Sequence, residues 1–310
     1  MKRTARWRRV LLGVGAFVAI ALALGARCDK DPAELEARYA TPPSKFVDVD
    51  GARVHYRDRG AGDPILLVHG SNSSLFTWEG WASALATNHR VVSVDMPGHG
   101  LTGPDPRGRY SAAEMAEFLD HFASIIGIDH FVLAGNSMGG NVAWHYAILH
   151  PTHVRALVLV DSYGLPRAEP KPFAFRMIST PGLGRIVRWE TPRYMVAKST
   201  RDAYGDPSRA TDAVIERYDD MVLRSGNRDA TRERFSRAED DLYNRLGEVH
   251  VPTLILWGTN DKWILPKYAT QFRDRIAGSK LVMLDGLGHV PMEEDPAASV
   301  APVKAFIDGL

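Results

Sequence analysis

One pentapeptide constrains this 310-residue chain more than any other: Gly135-Asn136-Ser137-Met138-Gly139. Before it runs Phe131-Val132-Leu133-Ala134, apolar and of strand length. After it comes Gly140-Asn141-Val142-Ala143-Trp144-His145-Tyr146-Ala147, which reads as the opening of a buried helix. A serine at that junction predicts a sharp strand-to-helix turn. Small residues are needed two before and two after it, because a side chain there would strike crowded backbone. Such a turn lifts the hydroxyl clear of the sheet. It also aims the Met138 N–H at the place where negative charge would build on an attacked carbonyl. Ser137 is the candidate nucleophile.

The remaining groups that such a serine needs follow in chain order. Val251-Pro252-Thr253-Leu254-Ile255-Leu256-Trp257-Gly258 is almost wholly apolar, as a strand buried on both faces would be, and it leads into Thr259-Asn260-Asp261. Lys280–Leu284 reads as a further strand, with Gly286-Leu287-Gly288-His289 after it. The order Ser137, Asp261, His289 matches serine, acid, base: His289 takes the hydroxyl proton and Asp261 holds the imidazole tautomer. Asp161, at the end of Ala156–Val160, is the alternative acid. A second N–H donor is expected in the loop after Ile65–Val68. The Ser71 amide is the candidate, with the Ser71 hydroxyl or Asn72 as helpers.

Four blocks resemble the α/β-hydrolase superfamily over about residues 45–310. They are His69-Gly70-Ser71, Asp95-Met96-Pro97-Gly98-His99-Gly100, the serine turn through Gly140, and the pair Trp257–Asp261 with Gly288-His289-Val290-Pro291. The resemblance implies an α/β fold with a mostly parallel sheet flanked by helices and a helical cap between two halves of the core. It also implies a catalytic triad of Ser137, Asp261 and His289, with Met138 and Ser71 as oxyanion donors. His69 and His99 would be structural. A serine in the turn separates the chain from relatives that use aspartate there to open epoxides or displace halide. Gly135–Gly140 looks like the turn of the meta-cleavage-product hydrolases, which split carbon–carbon bonds. Those enzymes carry a glycine-rich turn where this chain has Ser71–Ser74, and commonly tryptophan where it has Val290. Carboxylic ester hydrolysis through an acyl-enzyme is therefore expected first, C–C hydrolysis second, and a non-catalytic ligand-binding role third. The expected substrate is a small, apolar ester or other acyl compound. Triad chemistry needs no cofactor or metal. His145, His150 and His153 read as satisfied helix or loop residues, since no partner stands at ligand spacing.

Strands are expected near 46–50, 53–58, 65–69, 91–95, 131–135, 155–160, 252–257 and 280–284. Core segments 45–162 and 249–310 then flank a proline-rich cap at 163–248. Residues 163–201 hold eight basic residues against Glu169 and Glu190, interleaved with aromatics, a composition suited either to a solvated face or to an anionic surface. At the N-terminus, five basic residues precede the 17 uncharged residues Val10–Ala26. Residues 1–27 are thus expected to be a membrane anchor with the hydrolase domain outside the cytoplasm, or a cleaved signal. Without them the net charge falls from +1 to −5, which argues against nucleic acid as a partner. Residues 28–44 read as a linker, and Cys28, the single cysteine, excludes an intrachain disulfide.

Overall fold

A computed structural model describes residues 27–169, 180, 191–237 and 242–310. Its strands are β1 (Ser44–Val49), β2 (Ala52–Arg59), β3 (Pro64–Val68), β4 (Arg90–Val94), β5 (Phe131–Asn136), β6 (Val154–Val160), β7 (Thr253–Gly258) and β8 (Lys280–Leu284). They form one sheet in the order β1-β2-β4-β3-β5-β6-β7-β8. The six strands from β4 to β8 in that order are parallel, and β2 pairs antiparallel with both β1 and β4. The sequence expectation of a mostly parallel sheet flanked by helices holds.

The helices are α1 (Pro32–Tyr39), α2 (Glu79–Leu85), α3 (Ala112–Ile125), α4 (Met138–Leu149), α5 (Arg193–Asp202), α6 (Asp212–Leu223), α7 (Asn227–Ser236), α8 (Lys267–Arg275), α9 (Pro291–Glu294) and α10 (Pro296–Ile307). The apolar strand runs divide by alternate residues between two core layers. Leu66, Val68, Leu133, Leu157, Leu159, Ile255 and Trp257 join one layer, which includes residues of α3, α4 and α8. Ile65, Leu67, Val132, Ala134, Val158, Leu254 and Leu256 join the other, with residues of α2 and α10. Burial on both faces explains why these strands show no polar alternation. The chain runs from β3 to β4 on one side, then crosses to β5 on the other. The carboxyl ends of β3 and β5 therefore meet at a topological switch point, where open sheets of this kind leave a crevice.

Between β6 and β7, where the sequence suggests a cap, α5, α6 and α7 are described. Of the basic and aromatic stretch 163–201, read as suited to a solvated face or to an anionic surface, residues 170–179 and 181–190 fall outside the described residues. So does the anchor or signal expected at 1–27, apart from Arg27. Among the described residues no helix is long and apolar enough to cross a membrane.

Residues 28–44, expected as a linker, instead carry α1 and dock against α6. The Lys30 N–H donates to Leu223 O (2.7 Å), and Ser225 N–H donates back to Lys30 O (3.0 Å). Lys30 Nζ (2.5 Å), Arg38 Nη1 (2.9 Å) and the Tyr39 hydroxyl (2.7 Å) converge on the fully buried Asp220 carboxylate. Leu35 packs with Leu75, Phe76, Leu101 and Met221, so one small apolar cluster joins α1, α6 and the loops above the sheet. A charge-rich segment docks because its cations meet a buried acid that only the fold supplies. Asp220→Asn should cost about 2 kcal/mol in urea unfolding. This lies below the 3–5 kcal/mol of a sealed pair, because Lys30 and Arg38 keep contact with water. Wild-type stability in the variant would show that the three contacts contribute nothing net.

Candidate active site

Ser137 stands between β5 and α4 with φ 54° and ψ −114°, a conformation that costs a non-glycine residue strain and persists only where surroundings enforce it. The enforcement is close backbone packing. A Cβ on Gly135 would lie 2.1 Å from Gly139 O, and one on Gly139 would lie 2.1 Å from Val68 O. The Ser137 N–H donates to Val160 O and its carbonyl accepts from Tyr163 N–H, both at 3.0 Å. Three neighbouring elements thereby fix the turn.

His289 Nδ1 is 2.7 Å from Asp261 Oδ2. The other Asp261 oxygen accepts the N–H groups of Trp263 (2.7 Å) and Ile264 (3.0 Å), and the Trp263 ring stacks on His289 with centroids 5.5 Å apart. Engagement of Nδ1 leaves Nε2 as the nitrogen available to a hydroxyl. The His289 loop is tied at several points. Asn136 Nδ2 donates to His289 O (2.9 Å), His289 N–H to Ala203 O (2.7 Å), and Gly288 N–H to Glu294 Oε2 (2.8 Å). Asn136, beside Ser137, thus holds the loop of His289. No hydrogen bond joins Ser137 Oγ to His289 here; such contacts commonly tighten only with substrate bound.

The alternative acid is not remote. Asp161, Asp261 and His289 each offer an atom within 4.8 Å of the other two. Asp261 is the one bonded to the imidazole, while Asp161 sits behind it with φ 45° and accepts the Gly258 N–H at 3.0 Å. Burial, reinforced by the charge of Asp261, pushes the Asp161 carboxyl well above the ordinary range. Of the two carboxyls, Asp161 is the one whose charged form burial and the neighbouring acid disfavour. Two candidates that are rivals in the sequence are close neighbours in the fold, and Asp161 Oδ2 is buried there without a partner of its own among the described residues.

On the other side, Met138 opens α4, so its N–H is a first-turn amide without an acceptor in the preceding helix. The Ser71 N–H has no acceptor among the described residues. Gly70 lies against the nucleophile, since a Cβ on it would stand 3.2 Å from Ser137 Cβ. The turn is braced by Asp95, which accepts from Leu75 N–H (2.7 Å), Leu101 N–H (2.8 Å) and His55 Nδ1 (2.7 Å). Burial alone would raise the Asp95 carboxyl, but bonding from His55 and Leu75 outweighs it and holds Asp95 below the usual range. His69 is sealed beneath, Nδ1 donating to Gly70 O (2.7 Å) and Nε2 accepting the Met96 N–H (3.0 Å). His99 stands beside it, Nδ1 donating to Pro97 O (2.9 Å). From α7, Arg234 donates to Ser71 Oγ (2.9 Å) and Thr231 to Asn72 Oδ1 (3.2 Å).

Sequence reasoning missed Asn136, Glu294 and Arg234. Glu294 is a buried carboxylate that accepts from Gly205, Asp206 and Gly288, clamping the segment after α5 to the His289 loop. Only its place five residues after His289 could have hinted at this. His145 bonds Asn141 O (2.8 Å) within its own helix. His150 and His153 converge with Asp120 of α3 to within 4.8 Å, a grouping that chain spacing does not show. That cluster lies at the far end of α4, about 18 Å of helix from Ser137.

A family model described as the alpha/beta hydrolase family matches residues 65–303. The chain is 27% identical to monoacylglycerol lipase abhd6-B of Xenopus laevis, over 79% of this chain and 75% of the relative. It is also 27% identical to 2-hydroxy-6-oxo-6-(2'-aminophenyl)hexa-2,4-dienoic acid hydrolase of Metapseudomonas resinovorans, over 85% and 90%. Among solved structures, a bacterial membrane phospholipase A superposes with TM-score 0.74 at 27% identity, covering 100% of this chain and 99% of that one.

The carboxyl pair can be tested directly. Asp161→Asn keeps a donor toward Asp261 and an acceptor for Gly258. It also removes the group whose raised pKa costs stability as pH climbs above the unfolded-state value near 4. We expect it to melt no lower than wild type at pH 7, with a flatter dependence of stability on pH between about 4 and 7. Asp161→Ala strands the buried Gly258 N–H and should lose about 1–3 kcal/mol. Equal losses in both variants would mean that Asp161 is ionised.

Proposed function

Since the chain belongs to the alpha/beta hydrolase family, we propose that it is a serine hydrolase of carboxylic esters, acting through an acyl-enzyme. The observation that carries this reading is the Asp261–His289 hydrogen bond beside a strained Ser137 turn, with Asn136 linking the two. In the proposed cycle His289 Nε2 removes the Ser137 proton as Oγ attacks the ester carbonyl. The Met138 and Ser71 N–H groups receive the developing oxyanion. The imidazolium, held by Asp261, then protonates the departing alcohol. Water activated by the same nitrogen releases the acid and restores Ser137. Asp161 supports the step by keeping Asp261 aligned.

The lipase and phospholipase names among the similar proteins favour an apolar acyl ester as substrate. They also suit a chain whose residues 1–27 we read as an anchor that holds the domain at a membrane on its extracytoplasmic side, or as a cleaved signal. The five basic residues and the 17 uncharged residues after them are what supports that reading. A second reading, C–C hydrolysis, has its own support in the Gly135–Gly140 turn and in the dienoic acid hydrolase match.

Hydrolysis of p-nitrophenyl esters from acetate to palmitate, beside a vinylogous diketo acid, separates the two. We expect turnover of esters with an optimum at intermediate or long chains. Ser137→Ala should lower kcat/KM by at least about 1000-fold. Turnover of the diketo acid alone would reverse the order of the two readings.

A further inference from the structure

Arg234 of α7 is a cation with no acid to match it. Its Nη2 donates to Ser71 Oγ at 2.9 Å and its guanidinium lies over the Phe235 ring at 4.1 Å. No carboxylate among the described residues bonds it, and its Nε is sealed from solvent without a partner. Neighbouring cap arginines are treated differently: Arg217 pairs with Glu293 and Arg228 with Asp29. Burial draws the Arg234 guanidinium down to about 10, and Tyr163 is what acts in the other direction. The side chain remains charged at neutral pH, and its desolvation is offset by one neutral hydroxyl.

The groups around it locate it. Ser71 follows Gly70, which touches Ser137, and the Tyr163 N–H bonds the Ser137 carbonyl. His69 and His99 both feel its charge, and both are held neutral chiefly by burial. His99 Nε2 is a second buried polar atom without a partner. Arg234 thus bonds the residue that follows Gly70, the neighbour of Ser137, and its Nε is unused as a donor. A partly buried guanidinium whose Nε is sealed from solvent is stabilised when something anionic meets it, and its planar fork suits a carboxylate or phosphate.

We propose that Arg234 recognises an anionic group on the substrate, a carboxylate or phosphate carried close to the scissile acyl bond. The inference rests on the ester reading above and narrows its substrate class to acyl compounds bearing negative charge. Ser71 then has two duties, offering its amide to the reacting oxygen and its hydroxyl to the guanidinium that fixes the anion.

Matched pairs test this. Mono-p-nitrophenyl glutarate against p-nitrophenyl pentanoate places the charge on the acyl side. 1-Octanoylglycerol 3-phosphate against 1-octanoylglycerol places it on the alcohol side. Arg234→Gln should lower the anionic-to-neutral ratio of kcat/KM by about 10-fold or more in one pair, and Arg234→Lys should restore most of it. The pair that responds identifies the source of the charge. An unchanged ratio in both pairs, or Lys behaving as Gln does, would leave Arg234 only bracing the Ser71 turn. Calorimetric binding of octanoate, octyl phosphate and octanol to Ser137→Ala, with and without Arg234→Gln, gives a readout independent of turnover. If no ester is hydrolysed, the ester reading falls, and calorimetry still decides Arg234. Anions that bind no tighter than octanol, or keep their preference without the arginine, would overturn its role.

Discussion

The close approach of β5, β3 and α4 around Ser137 is the constraint on which the rest of the site depends. Gly135 and Gly139 let backbone pass over backbone where a methyl group would collide at 2.1 Å. That packing forces Ser137 into a positive-φ conformation and sets the start of α4 directly behind it. A hydroxyl, a free helix amide and the neighbouring β3 loop are thereby fixed in one place before any other side chain is considered. Positive φ recurs at Asn72 and Asp161, so strain is gathered on the three loops that surround the nucleophile.

Buried carboxylates do much of the positioning, each in a different protonation or bonding state. Asp95 stays ionised because His55 and two backbone amides satisfy it, and it braces the loop that carries Ser71. Asp161 is pushed well above the ordinary carboxyl range, by burial first and by the neighbouring Asp261 second. Glu294 gathers three backbone N–H groups and so binds the segment after α5 to the His289 loop. Arg234 is the counter-example. It is a partly buried charge that no carboxylate among the described residues bonds, and the proposed anion recognition rests on this asymmetry.

Described residues of the cap span join the rest of the chain both by apolar packing, with Leu165 and Leu246 in one core layer and Ala203 and Tyr204 in the other, and by polar contacts. α6 holds Arg27 through Asp219, and Lys30 with Arg38 and Tyr39 of α1 through Asp220, while α7 reaches the Ser71 and Asn72 turn through Arg234 and Thr231. Leu35, Phe76 and Met221 add a small apolar patch. This arrangement couples the position of α1 to the roof of the site, since both rest on the same pair of helices.

The sequence by itself determined the sheet, the turn and the order of the chemical groups. The long apolar runs of β3, β5, β6 and β7 are legible because strands buried on both faces tolerate no polar residues, and glycine spacing marks the one turn that cannot take side chains. Chain order then offered Ser137, Asp261 and His289, which the fold gathers at one end of the sheet. What the tertiary structure decided are the pairings between distant residues. Asp161 and Asp261 come to lie side by side, residues 28–44 dock rather than link, Asp120 meets His150 and His153, and Arg234 reaches Ser71 with no acid among the described residues bonding it. Local pattern records which face a residue presents, whereas protonation and pairing depend on neighbours that arrive from elsewhere in the chain. Those neighbours, and the low dielectric they create, exist only after folding.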